Sequence, residues 1–356
     1  MSFGGVARAA VFLSAVVEGF IGGGRMTTTG VVDARRSSPS SFEHRASRAA
    51  STESSPSSSS SSSTSNAAST PDDGGEGNDA VLGIIFDIDG TLADSWNLGY
   101  RATLTVLAGY HNERQLGDGD GDRSLSRHTP ETYPLTPEEY HFGCRYTTPE
   151  RLARHVGLEP DHPSFDSVGE DLGRKFDEYY VALVDMKTAG FYGGIGDLLV
   201  RLHRGEMSRS AAGGGGRVKL GALTNACVEY AHAVLKANCP QFSTESRSSP
   251  TSSVDAEDHY IYRRFSSIHG ADSVPRPKPY GDGILQCCED MDLHPSRVIY
   301  VGDAPTDARA AVDARCRAAI GVLWGSNDEE CLKNEAGFAV LCSNVEELAR
   351  AIERYL

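Results

Sequence analysis

At 356 residues with 39% hydrophobic content, the chain can bury a full core and has room for two domains. Its formal charge of -15 excludes a phosphate-backbone binder, which needs clustered Lys and Arg, but not a phosphorylated substrate whose charge a divalent cation balances. Eight cysteines without a CxxC pair or a partnering His spacing exclude a zinc ribbon and a secreted disulfide scaffold, and read as reduced thiols packed as small hydrophobes.

Residues 1–77 read as a leader outside the fold. "VARAAVFLSAVVEGFIGGG" is too short for a membrane span and is interrupted by Glu18. Residues 26–52 are Ser/Thr-rich, with Arg35, Arg36, Arg45 and Arg48 against few acids, the composition of a signal-like start and an organellar transit segment. "SSPSSSSSSSTSNAAST" then lacks the apolar surface to offset ordering entropy. Delivery to a plastid or another organelle and an untargeted tail on a cytoplasmic protein both stay open.

From Val81 the character changes. "VLGIIFDI" is a continuous apolar run with β-branched residues, as in a strand buried on both faces. Residues 96–189 then read as helices. "SWNLGYRATLTVLAG" is one; "LTPEEYHFG" carries a capping box from Thr136 to Glu139 with Pro137 between. "TPERLARHVG" opens in the same way at Thr148-Pro149 and stops at Gly157. "FDSVGEDLGRKFDEYYVAL" places Phe165, Val168, Leu172, Phe176, Tyr179 and Leu183 on one face. "GDGDGDRSL" has acids at alternating positions but lacks the Gly and Glu of a calcium loop, and reads as a solvated loop.

Beyond residue 190, strand-like runs ("RVKLGALT", "SRVIYVGD", "RAAIGVLW", "GFAVLC") alternate with helical patterns ("GIGDLLVRLHR", "ACVEYAHAVLKA", "PYGDGILQCCEDM", "PTDARAAVDAR", "VEELARAIERYL"). This predicts an α/β fold: a Rossmann-like parallel sheet core, residues 78–95 and 190–356, with a helical cap domain, 96–189, inserted after the first strand. Two low-complexity stretches, 208–217 and 243–258, read as surface insertions, which cost little because loop-closure entropy grows slowly with length.

In open α/β sheets, ligands sit outside the carboxyl ends of the strands. Asp87 and Asp89 fall at one such end, Thr224 of "LGALTN" at another, and Asp303 of "GDAPTD" at a third, with Asp307 one helical turn on. Lys278 stands between prolines in "PRPKPYGDG". Clustered carboxylates need a counter-charge, and oxygen ligands with retained water suit Mg2+. A carboxylate nucleophile, a hard cation, a Lys and a hydroxyl donor are the parts of phosphoryl transfer.

These four stretches, in this order and with helices between the first two, resemble the haloacid dehalogenase-like hydrolases, and among them the phosphoglycolate phosphatase-like branch. The resemblance covers residues 81–356; "AGFYGGIGDLL" at 189–199 resembles that family's return from cap to core. It implies a magnesium-dependent phosphomonoesterase acting on a small phosphorylated metabolite, such as phosphoglycolate or a sugar phosphate, with neither nucleic acid nor membrane as partner. It implies Asp87 as nucleophile, Asp89 as general acid and base, Thr224 as donor to a phosphoryl oxygen and Lys278 as the neutralising cation. Gly90, Thr91 and Asn225 would form the turn and the substrate cradle. Asp87, the Asp89 carbonyl, Asp303 and Asp307 would hold the metal. A phosphomutase or other phosphotransferase of the same family, and a non-catalytic regulatory relative, remain the alternatives. In the cap, Arg145, Arg151, Arg154 and His155 read as solvated helix faces.

Overall fold

The computed structural model describes residues 80–117, 128–207, 217–238 and 261–356. The leader, the acidic loop from residue 118 and nearly all of both low-complexity insertions lie outside the described residues. A six-stranded sheet forms the core, in the order β5-β4-β1-β6-β7-β8. The strands are β1 (Gly83–Phe86), β4 (Lys219–Leu223), β5 (Phe265–His269), β6 (Val298–Gly302), β7 (Ala318–Val322) and β8 (Phe338–Cys342). Every pairing in it is parallel.

β1 lies between β4 and β6, with Gly83 opposite both Lys219 and Val298. Both its edges are therefore paired, and Ile84, Ile85 and Phe86 have no exposed surface. Alternation divides its side chains. Ile84 and Phe86 join a core with helices Ile195–Arg204, Val228–Ala237 and Val345–Glu353. Ile85 joins the opposite core with helices Asp282–Asp290 and Pro305–Asp313. The chain builds β4 and β5 on one side of β1 and then crosses to β6 on the other. That reversal opens a crevice at the carboxyl end of β1.

β5 is absent from the strand runs read in the sequence. Its "FSSIH" offers one period of alternation, with Phe265 and Ser267 buried and Ser266 exposed, and two serines weaken the apolar signal. Edge position explains why so polar a strand suffices: it has only one partner, β4.

Two short antiparallel strands, β2 (Ala93–Asp94) and β3 (Gly190–Phe191), pair where the chain leaves the core and returns. Asn238 holds the return, its Oδ1 accepting from the Phe191 amide at 2.7 Å and its Nδ2 donating to the Ala189 carbonyl at 2.8 Å. Between β2 and β3 lie helices α1 (Trp96–Gly117), α2 (Pro137–Gly143), α3 (Thr148–His155) and α4 (Phe165–Ala182). α1 runs about two turns beyond the predicted helix, because "YHNERQLG" favours helix without an apolar stripe. The capping box at Thr136 and Glu139 forms as read. The N-cap position of α3 falls one residue earlier than expected, at Thr147, whose side chain makes no capping bond, which leaves Thr148 at the first helical position and Pro149 at the second. α4 packs on α1, on α3 and on the core helix Val228–Ala237, so it joins the two halves of the molecule.

Candidate active site

The strand ends bring the sequence-predicted acids together. β1 stops at Phe86, and the next three residues alternate: Asp87 to the rim, Ile88 into the core, Asp89 into the cavity. The turn that follows has Gly90 at φ 77°. Its amide donates to the Ala93 carbonyl at 2.9 Å, and a Cβ at Gly90 would collide with the Asp303 carboxylate. Glycine is required there twice over, for the left-handed backbone and for room.

Lys278 is 6% exposed, and its ammonium is shared among the acids. Nζ donates to Asp87 Oδ1 at 2.6 Å, Asp307 Oδ1 at 2.7 Å and the Tyr300 hydroxyl at 3.1 Å. Burial alone would push the Lys278 ammonium down; the Asp307 and Asp87 carboxylates outweigh it and hold it well above its ordinary value. Asp87 goes up as well, because burial dominates and Asp307, Asp303 and Asp89 add to it against Lys278. Asp303 is pushed up to about 7, by burial first and the Asp307 charge second. One ammonium therefore does not balance this cluster. Asp87, Asp303 and Asp307 each offer a carboxylate oxygen, and these oxygens lie within 4.8 Å of one another. A buried, acid-rich oxygen set of this size suits a hard divalent cation.

Asp303 is fixed by the Ser326 amide, which donates to Oδ2 at 2.7 Å. Asp307 Oδ2 accepts from the Ala304 amide at 2.9 Å, closing the first turn of helix Pro305–Asp313.

Asp89 stands in a ring of hydroxyls. Oδ1 accepts from Ser95 and Tyr230 at 2.5 Å each and from Tyr180 at 3.1 Å. Oδ2 accepts from Thr224 at 3.0 Å. Tyr180 comes from cap helix α4 and Tyr230 from the core helix Val228–Ala237; their rings stack at 4.1 Å and 12°. Burial pushes both phenols well above their usual range, with the Asp89 charge adding to it, so they remain neutral donors. Of these four donors only Thr224 was marked by its sequence. Ser95 stands at the head of the first quoted cap helix, with no role read for it. The helical stripe pointed to Tyr179, whereas Tyr180 is the residue that turns inward.

Of two predicted cradle residues, Asn225 lines the cavity and Thr91 does not. Thr91 is fully buried outside the cavity lining, its hydroxyl unpartnered and its carbonyl accepting from Trp324 Nε1 at 3.1 Å. The Asn225 side chain makes two 3.0 Å bonds with Lys278, donating to its carbonyl and accepting from its amide. That pairing fixes the loop presenting the ammonium.

The cavity has a volume of about 510 Å³ and is open to the surface; Asp87, Asp89, Gly90, Thr224, Lys278 and Asp303 form its floor. The cap roofs it with Trp96, Tyr140, Arg151, Phe176 and Tyr180 among others. Among the described residues, no helix is long and apolar enough to cross a membrane.

Comparison with known proteins agrees with this arrangement. Residues 232–320 match the family of haloacid dehalogenase-like hydrolases. A phosphoglycolate phosphatase of Chromobacterium violaceum is 38% identical over 77 residues, which span 22% of this chain and 34% of the relative. One of Salmonella typhi is 25% identical over 257 residues, 71% of this chain and 85% of the relative. The crystal structure of CbbY from Rhodobacter sphaeroides in complex with phosphate superposes with a TM-score of 0.50 at 23% identity, covering 75% of this chain and 96% of that one. At that identity the likeness to CbbY is one of fold.

Proposed function

We propose that this chain is a member of the haloacid dehalogenase-like superfamily and a magnesium-dependent phosphomonoesterase that hydrolyses a small phosphorylated metabolite, phosphoglycolate-like or a sugar phosphate, through an aspartyl-phosphate. The observation that carries the reading is the cluster of Asp87, Asp303 and Asp307, with the Lys278 ammonium bridging Asp87 and Asp307, at the carboxyl ends of β1 and β6, with Asp89 and Thr224 facing the same cavity. The activity in the names of the curated relatives supports it.

In this reading Asp87 attacks phosphorus with one carboxylate oxygen, while Lys278 on Oδ1 neutralises charge on the nucleophile. The bond from phosphorus to the leaving oxygen breaks, and Asp89 gives that oxygen its proton. Asp89 then takes a proton from water as the water attacks the aspartyl-phosphate, and the Asp87 carboxylate leaves with release of inorganic phosphate. Thr224 stands beside both, positioned to donate to Asp89 or to a phosphoryl oxygen. Asp87, Asp303, Asp307 and the Asp89 carbonyl would hold Mg2+, which supplies charge stabilisation to the transferring group. The hydroxyl ring fixes the carboxyl that carries the proton, and Tyr180 makes that ring depend on the cap being seated.

The test is phosphate release by the full chain from phosphoglycolate, glycerol phosphate and an aryl phosphate, with magnesium and then with excess chelator. Release that stops in chelator and returns with magnesium is expected. Equal turnover in both conditions would sink the metal-dependent reading.

A further inference from the structure

The cap contains a buried cation without a counter-ion. Arg151 is 5% exposed, yet among the described residues its side chain makes one hydrogen bond, from Nη1 to the Thr103 hydroxyl at 3.1 Å. Its guanidinium lies over the rings of Tyr140 and Phe176, at 5.0 and 5.1 Å from their centroids. No carboxylate among the described residues is within ion-pair distance. The surface cations of the same helices behave in the opposite way: Arg154 pairs with Glu150, Arg174 with Asp171 and Glu178, and Lys175 with Glu113 and Asp171. Pairing is thus absent where desolvation makes it most valuable. Asp177 feels the arginine's charge but makes no ion pair with it.

Arg151 lines the same cavity as Asp87 and Lys278. The cap's share of that lining includes Arg145 and Arg151, and no Asp or Glu. The core's share includes Asp87, Asp89, Asp303 and Glu335 against Lys278 and Arg309, the last paired with Glu335. The cavity is therefore polarised, with an acidic floor that takes a cation and a phosphoryl group and a basic roof that takes something negative. A guanidinium held between two aromatic faces is rigid, and its planar fork matches a carboxylate or a phosphate better than a hydroxyl.

We infer that Arg151 recognises a second anionic group on the substrate, a carboxylate or a further phosphate, at the end remote from the phosphoryl group being transferred. This rests on the phosphatase reading above and narrows it: neutral-tailed phosphomonoesters are poor substrates. Arg151 is then the specificity-determining residue of the cap.

The experiment measures kcat/KM of the full chain with magnesium for phosphoglycolate, fructose 1,6-bisphosphate and glycerol phosphate, in the natural protein, Arg151→Met and Arg151→Lys. The quantity read is the ratio of each anionic substrate to glycerol phosphate. Loss of a two-point charge-assisted contact lowers that ratio on the order of a hundredfold in Arg151→Met. Arg151→Lys keeps the charge but not the fork and lowers it less. The substrate whose ratio falls further identifies the group as carboxylate or phosphate. Ratios unchanged in Arg151→Met, with glycerol phosphate still hydrolysed, overturn the inference and leave the phosphatase reading standing. If Arg151→Met turns over nothing, Arg151→Lys decides, and a natural ratio there overturns the inference. No phosphate release by the natural protein from any substrate overturns the functional reading, and this inference with it.

Discussion

The floor and the roof of the cavity are built on opposite principles. On the floor, every charged group has a partner within the protein: Lys278 bridges Asp87 and Asp307, and Asp303 takes the Ser326 amide. On the roof, aromatic rings and the guanidinium groups of Arg145 and Arg151 meet the cavity, neither in an ion pair among the described residues, and the Tyr180 hydroxyl reaches down to a floor acid. In the proposed function the floor is preorganised for a phosphoryl transfer that repeats in every turnover, so its groups are locked. In the proposed function the roof admits and releases the substrate, and it meets the floor through the Tyr180 hydroxyl and the Tyr180–Tyr230 stack.

The largest test of this contrast is on the floor. Asp87→Asn is expected to abolish turnover and phosphoenzyme together, because an amide is a poor nucleophile and no neighbour can replace it. Substantial remaining phosphate release would show that the nucleophile lies elsewhere.

Asp89→Asn keeps the nucleophile and removes the proton donor. Turnover of glycerol phosphate is expected to fall about 10²–10⁴-fold, and that of an aryl phosphate much less, since its leaving oxygen needs little help. Acid-stable radiolabel on the protein is expected to build up with the aryl substrate. Equal losses on both substrates would refute the assignment.

The link between roof and floor is one step smaller. Tyr180→Phe and Tyr230→Phe each remove one donor from Asp89 Oδ1 and leave the stacked rings in place. Each is expected to slow glycerol phosphate hydrolysis about tenfold in kcat, the worth of one hydrogen bond to a charged group. Phosphoenzyme formation from an aryl phosphate should change less. If Tyr180→Phe alters only KM, the cap binds ligand without orienting the acid.

The smallest effect is in stability. Asp177 in α4 is held up at about 6, by burial first and the Asp272 charge second, and its Oδ1 has no partner. The folded state therefore holds a proton that the unfolded chain has released between pH 3.8 and about 6, and stability falls as pH rises through that window. Asp177→Asn removes this penalty. Its melting temperature should exceed the natural protein's by a few degrees at pH 8 and show no such gain at pH 4. A pH-independent difference would mean that the carboxyl is not under strain in the fold.

The sequence by itself determined the floor. A buried parallel strand reads as an unbroken apolar run, so "GIIF" running into Asp87 and "VIYVG" into Asp303 declare both the strand and its functional end. Glycine at position 90 is likewise legible, because backbone geometry demands it locally. The cap resisted the same reading. A helical stripe fixes which face is apolar only to within a residue, and the stripe ran through Tyr179 while Tyr180 packs inward. Arg151, one of three arginines in ten residues, has nothing in its own neighbourhood to mark it; only the packing of α3 on α1 and α4 buries it against Thr103, Tyr140 and Phe176. The hydroxyl ring on Asp89 is farther still from local pattern, since its donors stand 6 to 141 residues away along the chain. Periodicity and strand ends are properties of adjacent residues, whereas the register of one helix against another is set by how whole faces interlock, and that is decided only in the folded protein.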